Sequence, residues 1–301
     1  MPSLTAVIPA TDDPPTLGAC VAAIRAADDP PEQVVVVTEG GGPAYARNAG
    51  ASDASGEVLV FVDSDVLPHA DAFTRIRRAF DDDPELTALF GSYDDSPAAP
   101  GAVSAFRNLL HHYVHQEGAG PATTFWAGLG AVRADEFRAA GGFDAARYPL
   151  PSVEDIDLGT RLIAARGRIV LDSRIQGTHL KAWTLEGMIR TDFWQRGVPW
   201  TELILRNGTG SAALNLGWRH RASAIASVAA AVSVLRGRRG AALGAFAALA
   251  ALNLAFYELL LRRRGPAEAA LGVGLHAVHH VTGALSVAVG VGRYLRDRLE
   301  A

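Results

Sequence analysis

Two carboxylates separated by one residue, Asp63-Ser64-Asp65, follow directly on the apolar run Val58–Val62. Acids at the end of a buried strand are costly unless they bind something. A hard divalent cation carrying a diphosphate is a natural partner for such a pair. A second acidic pair, Glu154-Asp155, precedes a helical pattern, where its residue types alone read as a helix N-terminus. Phe125-Trp126-Ala127-Gly128-Leu129-Gly130 carries small residues that let a ligand approach the backbone. Trp126 there is either a stacking surface for a sugar or acceptor, or a core aromatic. The segment from Arg190 to Trp200 is basic and aromatic. Arg190 or Arg196 could grip a diphosphate; alternatively the segment, Trp200 included, is an amphipathic stretch at a membrane interface.

The elements that must position these groups alternate. Leu4 to Pro9 reads as a strand, Leu17 to Ala27 as a helix, Val34 to Val37 as a strand covered on both faces, Ala44 to Ala51 as a helix and Val58 to Val62 as a buried strand. Ile169 to Asp172 reads as a further strand. This alternation predicts an α/β fold with a mostly parallel central sheet. Ligands of such sheets bind at the carboxyl ends of the strands, where Pro9, Glu39 and Asp63 all lie.

The 301-residue chain is 49% hydrophobic, carries a formal charge of −4 and has one cysteine, Cys20; its mean hydropathy is +0.13 and its pI about 6.1. The charge gives no reason to expect a nucleic-acid partner. A lone cysteine excludes an intramolecular disulfide and a multi-cysteine zinc site, and reads as a small buried apolar residue. Residues 1–10 lack a signal-peptide pattern, so the N-terminal part is expected in the cytoplasm.

The composition changes near residue 210, from Leu214 onward. Ala241 to Leu261 is an apolar stretch of roughly the length that spans a bilayer, Leu271 to Gly292 is a second candidate, and Ala222 to Leu235 is either an interfacial helix or part of a tilted span. Arginines flank every segment, so charge does not fix the number of crossings; an alanine-rich soluble helical bundle is the competing reading. His276, His279 and His280 have helical spacing that suits either a metal or contacts with neighbouring helices. The expected organisation is a domain at 1–210 followed by a membrane-associated helical region at 211–301, of C-terminal hydrophobic, transmembrane helices.

The ordered set of motifs resembles the family 2 inverting glycosyltransferases of GT-A fold: Ala6-Val7-Ile8-Pro9-Ala10, Ala46-Arg47-Asn48-Ala49-Gly50, Asp63-Ser64-Asp65, Gly141-Gly142-Phe143-Asp144 and Val153-Glu154-Asp155-Ile156-Asp157-Leu158. Each motif is short, and it is their order and spacing over roughly residues 3–200 that carry the resemblance. It implies that Pro9 and Ala10 line the nucleobase pocket and that Arg47, with Ser64 in the donor segment, contacts the nucleotide. It implies that Asp63 lies near ribose and metal, that Asp65 is a metal ligand, that Asp155 is the general base and that Glu154 supports acceptor or base. His179 stands where some metal-dependent relatives place a further ligand, and imidazole with carboxylates suits Mn2+ at least as well as Mg2+. Two departures matter. Glu39 stands alone where relatives carry an acidic pair that contacts the base, which leaves UDP-sugars favoured and GDP-sugars as the alternative. The residues around Arg196 and Trp200 differ in spacing from the Gln-x-x-Arg-Trp motif of polymer-forming relatives.

The chemistry implied is hexosyl transfer in a single displacement. The leaving nucleoside diphosphate needs a cation, and the acceptor hydroxyl needs a carboxylate base. The apolar tail adds the expectation of a lipid or polyprenyl acceptor at the cell membrane, with the catalytic domain on the cytoplasmic side; an oligomer is compatible. The competing classes are a non-catalytic membrane protein that binds a nucleotide or protein partner through a GT-A-like domain, and a sugar nucleotidyltransferase. The latter lacks its glycine-rich basic loop at Thr11-Asp12-Asp13-Pro14-Pro15.

Overall fold

The protein is described by a computed structural model covering residues 1–208 and 217–300. The boundary expected at 210/211 and Leu214 fall outside the described residues. The chain divides into two compact units, Met1–Ala98 with Val114–Lys181, and Ala99–Tyr113 with the residues from Ala182 on.

In the first unit the elements are β1 (Leu4–Pro9), α1 (Leu17–Arg25), β2 (Gln33–Val37), α2 (Pro43–Ser52), β3 (Val58–Val62), β4 (Val66–Pro68), α3 (Ala72–Asp82), β5 (Leu86–Tyr93), β6 (Gly120–Ala122), β7 (Leu129–Arg133), α5 (Ala134–Ala139), α6 (Glu154–Ala164) and β8 (Arg168–His179); α4 (Ala102–Glu117) lies between β5 and β6 in the chain. Among the described residues the strands form one sheet of order β2-β1-β3-β7-β5-β8-β4, with β6 on β8. β1 pairs in parallel with β2 and β3. β7 runs antiparallel to both β3 and β5, so β5 regains the direction of β3, and β8 is parallel to β5. β2, β1, β3, β5 and β8 therefore share one direction, which is the mostly parallel sheet expected from the sequence.

β3 is central and fully buried, whereas β2 is the edge strand, with Val36 37% exposed. The expectation that Val34 to Val37 is covered on both faces is thus corrected: a four-valine run fits an edge strand as well as a central one. Phe61 of β3 anchors an aromatic cluster, with ring centroids 5.4 Å from Phe137 and 5.1 Å from Phe143. Such pairs add about 0.5–1.5 kcal/mol each beyond area burial. Phe143 is also clamped through its backbone by Asn48 of α2: Asn48 Nδ2 donates to its carbonyl at 2.7 Å, and its N–H donates to Asn48 Oδ1 at 2.9 Å. Gly142 beside it adopts φ +68°, where a Cβ would stand 2.6 Å from Asn48 Oδ1. Two motifs far apart in sequence are therefore one packing unit.

The second unit contains α7 (Leu185–Arg190), a π-helical turn (Thr191–Gly197), α8 (Val198–Asn207), α9 (Trp218–Leu235), α10 (Arg239–Leu252) and α11 (Leu254–Glu300), which is broken at Gly265 (φ 80°) just before Pro266. The candidate span Ala241 to Leu261 is not one helix. α10 ends at Leu252 because Asn253 takes φ −130°, and its side chain donates to Leu249 O and to Ser223 Oγ. Among the described residues α11 is the one helix long and apolar enough to cross a membrane. The three histidines of α11 face neighbouring helices and each other: His279 Nδ1 lies 2.7 Å from Asp192 Oδ2, His276 Nδ1 lies 2.9 Å from the Tyr257 hydroxyl, and the His276 and His280 rings are 4.4 Å apart.

Gly159 on α6 sets how closely that helix approaches residues 124–125, since a Cβ there would stand 2.3 Å from Phe125 N and 2.6 Å from Thr124 C. Gly159→Ala is expected to destabilise the protein by about 1–3 kcal/mol through overpacking against backbone, read as a lower urea midpoint at unchanged slope.

Candidate active site

The carboxyl ends of β1, β2 and β3 lie side by side, with Pro9 opposite Val37 and Ala10 N–H donating to Val37 O at 2.8 Å. Pro9 and Ala10 are therefore backbone-fixed at this edge. Glu39 is exposed two residues beyond β2. Asp63 follows β3 directly, and its N–H donates to Gly128 O at 3.0 Å. β7 is antiparallel to β3, so its beginning meets β3's end and Trp126, Ala127 and Gly128 reach the same edge. Cys20 is fully buried, with its Sγ 3.6 Å from Asp63 O.

Asp65 Oδ2 lies 3.5 Å from His179 Nε2. β8 runs to His179 and its backbone continues beside the motif, where Leu180 N–H donates to Asp65 O at 2.8 Å. The imidazole stacks on Tyr93, with centroids 4.1 Å apart and an 8° interplanar angle. Burial works to raise the Asp65 pKa, but His179 and Lys181 together bring it below the usual carboxylate range. Cis ligands of one octahedral cation stand about 3 Å apart, so this oxygen–nitrogen pair fits a shared divalent ion with small movement. Among the described residues no group of three or more His, Cys, Asp or Glu side chains is gathered to hold a metal.

Asp63 is engaged elsewhere. Arg47, buried on α2, spans from Asp63 to the second acidic pair: Nη2 lies 2.7 Å from Asp63 Oδ1 and Nη1 lies 2.9 Å from Glu154 Oε1. Its guanidinium carbon is 5.5 Å from the Phe143 ring centroid. Glu154 Oε2 accepts from Ser152 N–H at 2.8 Å. Asp155 Oδ2 accepts from Ala127 N–H at 3.2 Å, and Oδ1 from Ile156 N–H at 2.8 Å. Both acids occupy the first turn of α6, and the N-cap itself is Val153. Burial, then the charge of Glu154, push the Asp155 pKa up to about 7, with Arg47 pulling the other way. A carboxyl group so placed takes and releases a proton near neutrality.

Trp126 is half-buried, edge-on to Tyr93 at 5.0 Å and to His115 at 5.3 Å. Ser64 is half-buried between the two aspartates. Arg190 ends α7, Arg196 lies in the π-helical turn and Trp200 in α8, all in the second unit. The structure brings Asp63, Asp65, His179, Arg47, Glu154, Asp155 and Trp126 to one edge of the sheet in the first unit. Residues that sequence reasoning missed are Tyr93, which holds the His179 ring, and Ala127, whose N–H orients Asp155. Tyr93 ends β5, and its position at a strand terminus was the available signal.

Residues 29–100 match the family model described as glycosyl transferase family 2. No curated protein matches the chain. Among solved structures, the fold is similar to that of the mannosyltransferase PcManGT from Pyrobaculum calidifontis in complex with GDP-Man and Mn2+, at 15% identity and TM-score 0.52, covering 95% of this chain and 87% of that one. GalNAc-T7 with UDP, GalNAc and Mn2+ is similar at 14% identity and TM-score 0.45, over 64% of this chain and 48% of that one.

Arg47 is the cation that makes the buried Glu154 carboxylate tolerable, and it also pairs with the half-buried Asp63. Arg47→Ala leaves Glu154 buried without its partner, and is expected to cost about 3–5 kcal/mol, measured by chemical denaturation at neutral pH. Glu154→Gln in the same background should recover part of the loss, because a neutral amide needs no counter-ion.

Proposed function

We propose that this chain, which carries a glycosyl transferase family 2 domain on the GT-A fold, is a metal-dependent inverting hexosyltransferase that moves a sugar from a nucleotide-sugar to a hydroxyl acceptor at a membrane. The observation that carries the reading is the meeting, at one sheet edge, of the Asp65–His179 pair with the Glu154–Asp155 pair, joined through Arg47 and Asp63.

Asp65 and His179, with Asp63 beside them, would hold Mn2+ or Mg2+, which when bound supplies positive charge to the leaving diphosphate. Pro9, Ala10 and Glu39 would line the nucleobase side, with Ser64 beside the diphosphate. Arg47 would orient Asp63 and bring a second cation near the nucleotide. Trp126 would face the acceptor, Glu154 would support the acceptor or the base, and Arg190, Arg196 and Trp200 are candidates for acceptor or diphosphate contacts. The acceptor hydroxyl oxygen attacks the anomeric carbon, its proton passes to Asp155, and the bond to the nucleoside diphosphate breaks, inverting the configuration. A UDP-sugar is favoured, and the GDP-Man held by PcManGT keeps GDP-sugars in the comparison. The length and apolarity of α11 support attachment to the cell membrane, a catalytic unit on its cytoplasmic side and a lipid or polyprenyl acceptor.

A thermal-shift screen of nucleotide-sugars with Mn2+ or Mg2+ tests the donor side. A nucleoside diphosphate-sugar is expected to raise Tm only with metal, and Asp65→Ala to remove the metal-dependent part. Stabilisation by no nucleotide would leave the non-catalytic reading. Asp155→Asn is expected to keep the donor shift and lower transfer by at least about 100-fold; near-normal transfer would remove Asp155 as base. The pH profile follows from the raised pKa. Asp155 accepts a proton only when ionised, so transfer should fall as pH drops through about 7, and Glu154→Gln, by removing a like charge, should move that limb to lower pH.

A further inference from the structure

The amphipathicity of α9 is inverted. In a helix of a water-solvated unit the large apolar residues face the core. Here the buried residues are Ser223, Ala226, Ser227 and Ala230. Ile225, Val228, Val232 and Leu235 point outward, with exposures of 72%, 37%, 40% and 86%. Their spacing of three, four and three residues aligns them as one stripe on a helix.

The inward face is already committed. Ser223 Oγ accepts from Asn253 Nδ2 at 2.8 Å, and Ala226 packs with Leu249 of α10 and Ala277 of α11. Rotating α9 to bury the aliphatic stripe would break these contacts and put serines outside. Small residues between helices with branched aliphatics outside is the arrangement of helices solvated by lipid. α10 continues the outer surface with Leu243, 71% exposed.

The charges define the partner further. Arg236, Arg238 and Arg239 are exposed at the turn that joins α9 to α10, directly after Leu235. The apolar stretch from Ala222 to Leu235 is about 21 Å long as a helix, short of the roughly 30 Å hydrocarbon core. A helix too short to span, with a full aliphatic stripe and arginines at its end, fits the plane of the headgroup–acyl boundary. Arginine at that level meets lipid phosphate.

We propose that α9 is an interfacial membrane helix whose Ile225–Val228–Val232–Leu235 stripe contacts the acyl chains of an anionic lipid surface, with Arg236, Arg238 and Arg239 on the lipid phosphates. The inference rests on the membrane attachment proposed above and specifies its element, its depth and its lipid class.

The chain's only cysteine is buried, so Leu235→Cys can be labelled selectively with an environment-sensitive NBD probe, with Asp53→Cys on the first unit as the aqueous control. The full chain is mixed with phosphatidylcholine vesicles with and without phosphatidylglycerol. The expected result is a blue shift at position 235 and none at 53, stronger with phosphatidylglycerol, and quenched more by a doxyl group high on the acyl chain than by one near its end. The triple variant Arg236→Gln, Arg238→Gln, Arg239→Gln should lose the preference for anionic lipid. Flotation of the protein with vesicles while the position-235 probe stays aqueous would overturn the inference and leave membrane attachment standing. Absence of flotation would overturn both. Strongest quenching from the bilayer centre would mean a spanning helix and reject the interfacial placement.

Discussion

The first unit is organised around one buried guanidinium. Arg47 is about 5% exposed and bonds Asp63 on one side and Glu154 on the other. A charge buried to that degree is tolerable only when paired and hydrogen-bonded, and the same holds for Glu154. Arg47 and Glu154 are therefore mutually obligatory and Asp63 is the guanidinium's second, half-buried partner, although the three come from α2, the start of α6 and the end of β3. That requirement fixes the relative positions of Asp63 and the Glu154-Asp155 pair. It also sets the local charge balance. One guanidinium faces more than one carboxylate, and the Asp155 pKa rises toward neutrality through burial first and then through the charge of Glu154, with Arg47 opposing.

The remaining structure supplies the rigidity that such a network needs. β3 is covered on both faces, so Asp63 begins from a strand that cannot shift. α2 is held at Asn48 by two hydrogen bonds to the Phe143 backbone, and Phe143 packs on Phe61 of β3. α6 is drawn against residues 124–125 at Gly159, which brings Asp155 within reach of Ala127 N–H. Arg47 and Asp63 are thus one residue away from a packing contact, and Asp155 is one helical turn from the one at Gly159. The motifs read from the sequence as chemistry are half architecture: Asn48 and Phe143 hold α2 against β3 and give Arg47 a fixed origin.

Much of the first unit was legible because its physical rules are local. Apolar runs of five or six residues marked β1 and β3, and the acids after β3 had no reason to be there unless they bind. Partners in three dimensions were less legible. Nothing in the spacing of Arg47, Asp63 and Glu154 says that one guanidinium joins the other two, and Tyr93 carries no motif that ties it to His179. β2 was misread because burial on both faces depends on where a strand falls in the sheet order, and a run of valines does not encode that order.

The second unit was harder to read for a different reason. Hydropathy measures how apolar a segment is, and not which way its apolar residues point. Ala241 to Leu261 has the length and composition of a span, yet one side chain divides it: Asn253 satisfies its amide on Leu249 O and Ser223 Oγ and leaves the helical conformation. That bond ties the end of α10 to the beginning of α9, so the two helices form an antiparallel pair with the arginine turn at its far end. Once the pair is fixed, the small residues of α9 must face inward and its aliphatics outward. A polar contact at the root of the hairpin thereby decides the solvent that its outer face requires.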